Sequence, residues 1–456
     1  MKTHHYIFLT TALFVALFYN ENVGLNLGML CIIYAILTVI RTPVKNRTKT
    51  FFVLMIASLT SGLAFAWYGD FASFLAVVSS LLLLSYRSKN RRMKILLLIP
   101  VFIVNTFTSI YRFFSFEEWL PKKNIPGFWQ KMFAWVMIPL VLVSIFFGIY
   151  AAGSHHFAEL FSGYEWDLDI WQFLCIAVLG FFIAFNYWNY AVEKLIYKQN
   201  MRLSNDFENK EKVLKPTYSF FDLEAERASG VMSFLLLNIL LVFFIVTYNY
   251  EQFYESSKAA AKLSEETHER VNAVILSIIM AVLVMMFYFK SAFNFDPKAG
   301  MLKSLAKIWI LLNAILIISA MAKNTEYIMQ YGYTYKRLGV SAFLVLSLIG
   351  LMLTFIKIQR QKKNIFLFNS MAWFAYAVIL VCSFFNWGGF ITRQNVRREN
   401  FNPDFHKTSV NFNEKILLEY AERNHKDPLK NEILEEIQKH EKESFLSQAL
   451  YYRSVR

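Results

Sequence analysis

The chain has 456 residues, 56% hydrophobic and 18% aromatic, with a mean hydropathy of +0.37 and a formal charge of +14. Only 18% of residues are charged, against roughly a quarter in a soluble globular domain, so that class is excluded. The basic excess lies between apolar runs, where the positive-inside rule and anionic lipid head groups account for it; the lipid bilayer is the expected partner and nucleic acid is not.

The apolar residues are concentrated in charge-free blocks such as TFFVLMIASLTSGLAFAW (50–67) and VMSFLLLNILLVFFIVTY (231–248). Blocks of about 18 or more residues carry a helix across hydrocarbon, and in lipid a helix satisfies its own backbone. Their continuity excludes the alternating strands of a membrane barrel. The expected fold is all-α: a polytopic membrane bundle of about twelve transmembrane helices with a small helical C-terminal tail.

In chain order, the runs are 6–19, 24–40, 50–67, 71–86, 94–110, 130–151, 169–192, 230–250, 271–290, 304–321, 338–357 and 365–387. The first resembles a signal peptide but lacks a small-x-small cleavage site and runs straight into the second, so a helical hairpin is expected. The loops RTPVKNRTK (41–49), RSKNRRMK (87–94) and KIQRQKK (357–363) are strongly basic and belong on the cytoplasmic side. Counting from them places the tail outside. The count fails in the middle: three runs separate 94 from 193, which should share a side. The mixed aromatic and charged segment 110–129 is a candidate interfacial element, and the run 94–110, interrupted by Pro100, a candidate half-membrane helix.

The polar connection 193–229 ends in FFDLEAERASG, with Asp222 as a helix N-cap. In the tail, Asp427 is expected as N-cap and Pro428 as first helical residue of an amphipathic helix carrying Leu429, Ile433, Leu434 and Ile437 on one face. That face needs a cover: the membrane domain, a protein partner or the helix at NEKILLEYAER. The expected divisions are 1–127 for the N-terminal membrane helices, 128–393 for the main bundle and 394–456 for the soluble tail.

Ionisable residues inside a span usually mark an ion or proton pathway. They are nearly missing at mid-span here, which weighs against proton coupling and voltage sensing. Asn186, Asn189 and Asn238 are candidate cavity-lining residues, although such side chains most often hydrogen-bond between helices. GSHHFAEL (153–160) sets His155, His156 and Glu159 at helical spacing, but no further ligand set matches it, and no metal site is expected. Cys31, Cys175 and Cys382 lie in apolar runs without metal spacing. No phosphate loop, HExxH or GxSxG is present, so neither catalytic residues nor cofactors are expected.

One polar stretch stands out. NTEYIMQYGYTYKRLGV (324–340) joins two late runs and holds Glu326, Tyr327, Tyr331, Tyr333, Tyr335, Lys336 and Arg337. Tyrosines with a basic pair anchor a helix at head-group depth, and Lys336 and Arg337 are expected to meet either an acidic residue such as Glu326 or an anionic head group. This set is the candidate functional surface.

YGYTYKRLGVSAFLVL followed by KIQRQKK, NVRRENF (395–401) and the upstream MIPLVLVSIFFGIYAAGSHHFAELF resemble the bacterial multipass membrane proteins grouped as domains of unknown function 4153 and 4173. The likeness covers roughly residues 128–425. It implies a multi-pass protein of the bacterial inner membrane and supplies no activity. The favoured function is a non-enzymatic membrane or envelope component acting through its tail and loops. The alternatives are a passive transporter, channel or lipid-handling protein, with a cavity lined by the asparagines, and, with least support, an enzyme acting on a lipid-linked substrate.

Overall fold

The computed structural model of the chain describes residues 2–121, 127–154, 157, 169–190, 198, 200, 203–216, 222–254 and 260–455. Every regular element among them is helical. Nine of these helices are long and apolar enough to cross a membrane, and three shorter apolar ones, Thr3–Phe18, Leu25–Arg41 and Asn272–Tyr288, accompany them. The apolar runs are thus helical throughout; length and composition qualify nine of them as spans.

The N-terminal half contains α1 (Thr3–Phe18), α2 (Leu25–Arg41), α3 (Lys49–Tyr68), α4 (Phe71–Lys89) and α5 (Leu98–Phe114). A single turn at Phe116–Trp119 follows. Next come α6 (Phe128–Met132), a π turn (Phe133–Met137), α7 (Ile138–Gly153) and α8 (Ile170–Trp188). Pro139 has no N–H for the Trp135 carbonyl, and the ladder widens just before it. The C-terminal half contains α9 (Leu223–Phe253), α10 (Ala260–Tyr288), α11 (Gly300–Tyr331), α12 (Tyr335–Gln359) and α13 (Asn364–Phe384). Asp222 caps α9 as expected, accepting from the Ala225 N–H at 2.6 Å. The tail holds α14 (Trp387–Asn395), α15 (Pro403–Ser409), α16 (Glu414–Arg423), α17 (Asp427–Glu441) and α18 (Leu450–Ser454). α17 begins one residue earlier than expected: Asp427 is its first residue and makes no cap hydrogen bond.

Two apolar cores form. In the first half, Tyr6, Phe14, Tyr34, Phe185 and Trp188 pack between α1, α2 and α8. In the second, Phe234, Met285, Phe289, Trp309 and Leu344 pack between α9 and α12. Helix α13 joins the halves: Tyr376 packs with Phe51 and Leu84 and its hydroxyl lies 2.9 Å from Ser80 Oγ of α4. No described residue of α7 is fully buried, as suits a helix that faces lipid over most of its surface.

The basic loops gather at one end of the bundle. Asn46 Nδ2 donates to the Ser88 carbonyl at 2.8 Å, the Lys94 N–H to Asn200 Oδ1 at 2.9 Å, and Lys363 Nζ to Glu211 at 2.7 Å. Lys362 pairs with Asp206 and Arg227 with Asp296 at the same end.

Helix α5 explains the failed count. Leu97 and Val101, at its start, cluster with Tyr86 and with Tyr190 just past α8. Its last turn places Arg112 on the Asn189 carbonyl, and the Trp119 carbonyl returns to His4 Nδ1 at 3.3 Å, at the head of α1. Chain segment 94–119 therefore leaves and re-enters at the basic end. The run 94–110 is helical and long and apolar enough to cross, and the contacts of both its ends at the basic end favour the half-membrane alternative. Asn105, Ser109 and Arg112 form a buried polar stripe along it, and that stripe needs protein contact rather than lipid. The α6–α7 rod then runs to the far end, where Gly148 faces Trp171 of α8, and α8 returns.

Candidate functional site

The Tyr-rich stretch and the tail meet at the end opposite the basic loops. Helix α11 has 32 residues, about 48 Å at 1.5 Å each, longer than a hydrocarbon core of about 30 Å. Its C-terminus thus projects beyond the apolar belt. The last carbonyls of a helix lack intrahelical donors. Here Arg337 supplies them, donating to the Tyr331 and Gly332 carbonyls at 2.9 and 2.5 Å with its guanidinium 4.2 Å from the Tyr327 ring centre. Arg398 of the tail adds two bonds of 2.8 Å to the Ile328 and Met329 carbonyls. Positive charge at a helix C-terminus also complements its dipole.

The expected ion pair with Glu326 is corrected by this geometry. Glu326 pairs with Lys323 at 3.1 Å, and Arg337 serves backbone carbonyls. Lys336 is exposed beside it. Asn324, buried, ties α11 to α12 through the Arg337 carbonyl at 3.1 Å and Ser341 Oγ at 2.8 Å.

Asn395 joins the hinge to the tail. Its Oδ1 accepts from the Tyr333 N–H at 2.8 Å and its Nδ2 donates to the Tyr333 carbonyl at 2.9 Å. Gly332 permits this approach: its φ is +87°, and a Cβ there would lie 2.7 Å from Asn395 Oδ1. Tyr333 packs edge-on against Phe390, ring centres 5.3 Å apart. Behind Asn395 lies a buried polar set. His406 Nε2 is 3.2 Å from Asn395 Nδ2, His406 Nδ1 is 2.9 Å from Thr392 Oγ1, and Asn413 Nδ2 donates to Thr392 Oγ1 at 2.8 Å. Since Asn395 donates to Nε2, the ring carries its proton on Nδ1 and is neutral. Burial pushes His406 down from 6.5 to about 4, consistent with that state. Glu414, also buried, is pushed up by the same desolvation.

The tail reaches the N-terminal half as well. The first amides of α2, Leu25 and Asn26, donate to the Gln448 and Leu446 carbonyls at 3.0 Å each. The Asn22 N–H donates to Ser447 Oγ at 2.8 Å, and Glu21 accepts from Ser444 and Ser447. A Cβ on Gly24 would sit 2.1 Å from the Ser447 carbonyl oxygen. Tyr68 closes the α3–α4 turn against Phe412 and Tyr451, ring centres 5.4 and 6.3 Å apart. The tail is thus a clasp over three turns of the bundle, drawn from both halves.

The carbonyl-capping device recurs at the basic end. Arg41 donates to the Trp188 carbonyl at 2.8 Å, Lys89 to that of Tyr190 at 2.5 Å, and Arg112 to those of Asn189 and Asn105. Lys357, 1% exposed, donates to the Phe289 carbonyl at 2.6 Å. These basic side chains, of which Arg112 and Lys357 are buried, thus cap α8 and α10.

A family model matches most of the chain. The chain belongs to the DUF4153 family. The family model, described as a domain of unknown function, matches residues 7–408. No curated protein and no solved structure matches the chain significantly. Asn395, Arg398 and His406 lie inside the DUF4153 match, whereas the 444–448 contact to α2 lies beyond it.

The candidate asparagines sit apart from this clasp. Asn186 Oδ1 accepts from Arg112 at 3.0 Å, the Asn189 carbonyl receives Arg112, and Asn238 Nδ2 donates across helices to the Leu305 carbonyl at 3.1 Å. Tyr335 stands at the first residue of α12, half exposed. His155, His156 and Glu159 lie outside the described residues. Among the described residues, no three His, Cys, Asp or Glu side chains converge as metal ligands.

Proposed function

We propose that this chain is a non-enzymatic component of the bacterial inner membrane, in which an eleven-crossing bundle holds its folded tail on the outer face as a surface for a protein partner. Eleven crossings follow when α5 is taken as non-crossing and the other apolar helices, α1–α4, α6–α7 as one rod, and α8–α13, as crossing. The observation that carries the reading is the clasp: Asn395 and Arg398 seat the tail on the 328–333 hinge, and Leu446 to Gln448 seat it on α2. Charge supports the sidedness. Residues 394–456 hold eleven basic and eleven acidic side chains, so the +14 excess arises before them, and the strongly basic loops 41–49, 87–94 and 357–363 lie at the end that the positive-inside rule puts in the cytoplasm.

The test is thiol labelling in intact cells, with Cys31, Cys175 and Cys382 replaced by serine. An impermeant maleimide should modify Asn431→Cys in the tail without permeabilisation, and Ser204→Cys at the basic end only after it. The reverse pattern overturns the orientation. Photo-crosslinking from position 435 on α17 then asks for the partner, and a tail that yields no specific adduct in the native membrane overturns that part.

A further inference from the structure

A large apolar groove of about 970 Å³ opens between α1, α5, the π turn and α8. It is at the upper end of the range for small-molecule sites. Aromatic rings dominate its walls, among them Phe8, Phe113, Trp119, Phe133 and Phe181. Along α8 the lining runs from Leu174 to Phe185, about 16 Å of helix rise. That is an elongated slot, suited to an extended hydrocarbon chain.

One end of the slot is polar. His4 lines it and is 9% exposed. Its Nδ1 faces the Trp119 carbonyl at 3.3 Å, so Nδ1 carries the proton. Nε2 has no hydrogen-bond partner among the described residues. It accepts from a hydroxyl when the ring is neutral and donates to a phosphate when the ring is charged. Exposed Lys2 and Lys131 stand on the same turns as the lining residues His4 and Met132, and exposed Glu117 and Glu118 on the turn of the lining residues Phe116 and Trp119. The course of α5 creates the slot, and its His4 end lies at the basic end of the bundle.

We propose that the groove binds one acyl chain of an anionic phospholipid from the leaflet at the basic end, with the head group at His4, Lys2 and Lys131. Shape selects a chain, the basic loops at that end of the bundle favour an anionic head group, and His4 supplies the directed hydrogen bond.

The test uses the full-length chain extracted into mild detergent from vesicles of equal phosphatidylglycerol and phosphatidylcholine, washed extensively, with retained lipid measured by mass spectrometry. One phosphatidylglycerol per chain should stay with the wild type. Ala177→Trp and Ile110→Trp, which fill the slot from two walls, should lose it. Val141→Trp, on the lipid-facing α7, should keep it. His4→Gln should keep a lipid but lose the preference for phosphatidylglycerol. Thermal unfolding identifies any variant that fails to fold, and the second filling variant then stands in for it. Equal retention by the filled and wild-type chains, equal retention of both lipids by the wild type, or no retained lipid at all would each overturn the proposal. Because this readout does not depend on the side of the tail, its failure is separable from failure of the proposed orientation.

Discussion

Two helix C-termini, at opposite ends of the molecule, are finished by the same chemistry from different sources. At the basic end, the carbonyls closing α8 receive Arg41, Lys89 and Arg112 from α2, α4 and α5. At the clasped end, the carbonyls closing α11 receive Arg337 from the next helix and Arg398 from the tail. The first cap is internal to the membrane helices. The second is completed only when the tail docks. In both places basic side chains serve backbone carbonyls. The difference teaches that the tail is part of the stability of one end and irrelevant to the other.

The comparison can be broken most forcefully at Arg112. Arg112→Ala removes donors from two carbonyls and Asn186 Oδ1, a loss on the order of 3–4 kcal/mol given about 1.5–3 kcal/mol per charged hydrogen bond and incomplete additivity. Thermal unfolding in detergent should show it, with amide exchange at Tyr333 unchanged. Asn395→Ala strikes the other end, leaving the Tyr333 backbone groups unpaired at a cost of about 1–3 kcal/mol. There the Tyr333 amide should exchange faster while the α8 terminus keeps its protection.

Gly24→Ala forces a Cβ into the Ser447 carbonyl, an overpacking worth about 1–3 kcal/mol. It should deprotect Leu25 and Asn26 without touching either capped terminus. Acid sharpens the contrast further. His406 is held at about 4 when folded and returns to 6.5 when released, so the released tail binds more protons between those values. Clasp stability should therefore fall as pH drops from 6.5 toward 4.5, and His406→Gln should flatten that dependence. Glu414, raised above its ordinary 4.5, works in the opposite direction at pH values above 4.5, so Glu414→Gln should steepen the loss of stability that His406 produces. The smallest effect belongs to Lys336→Ala. The side chain is exposed next to a cap it does not join, and unfolding should shift by no more than about 0.5 kcal/mol.

Much of this was legible in the chain. Charge-free runs located the helices because lipid leaves the backbone no other partner. The basic loops predicted a shared end because their charge avoids crossing. Hydropathy left a span and a half-membrane helix both open at 94–110, because it reports apolarity and not direction. The signal that was present is the spacing of Asn105, Ser109 and Arg112, which puts three polar groups on one face of an otherwise apolar helix. The hinge was found through its tyrosines, yet its partner was misassigned. Opposite charge suggested Glu326, whereas Gly332 at a helix end was the better guide, since it marks carbonyls in need of donors. Asn395 and Ser447 escaped because their roles arise only when segments 62 and 425 residues apart meet, and single-sequence periodicity carries no such information.

The most direct measurement is amide hydrogen exchange on peptides covering 20–28 and 328–334, in the intact chain and in a chain ending at residue 393. Both peptides should exchange slowly in the intact chain and both should lose protection together on truncation. Retained protection of either peptide without the tail would contradict the clasp.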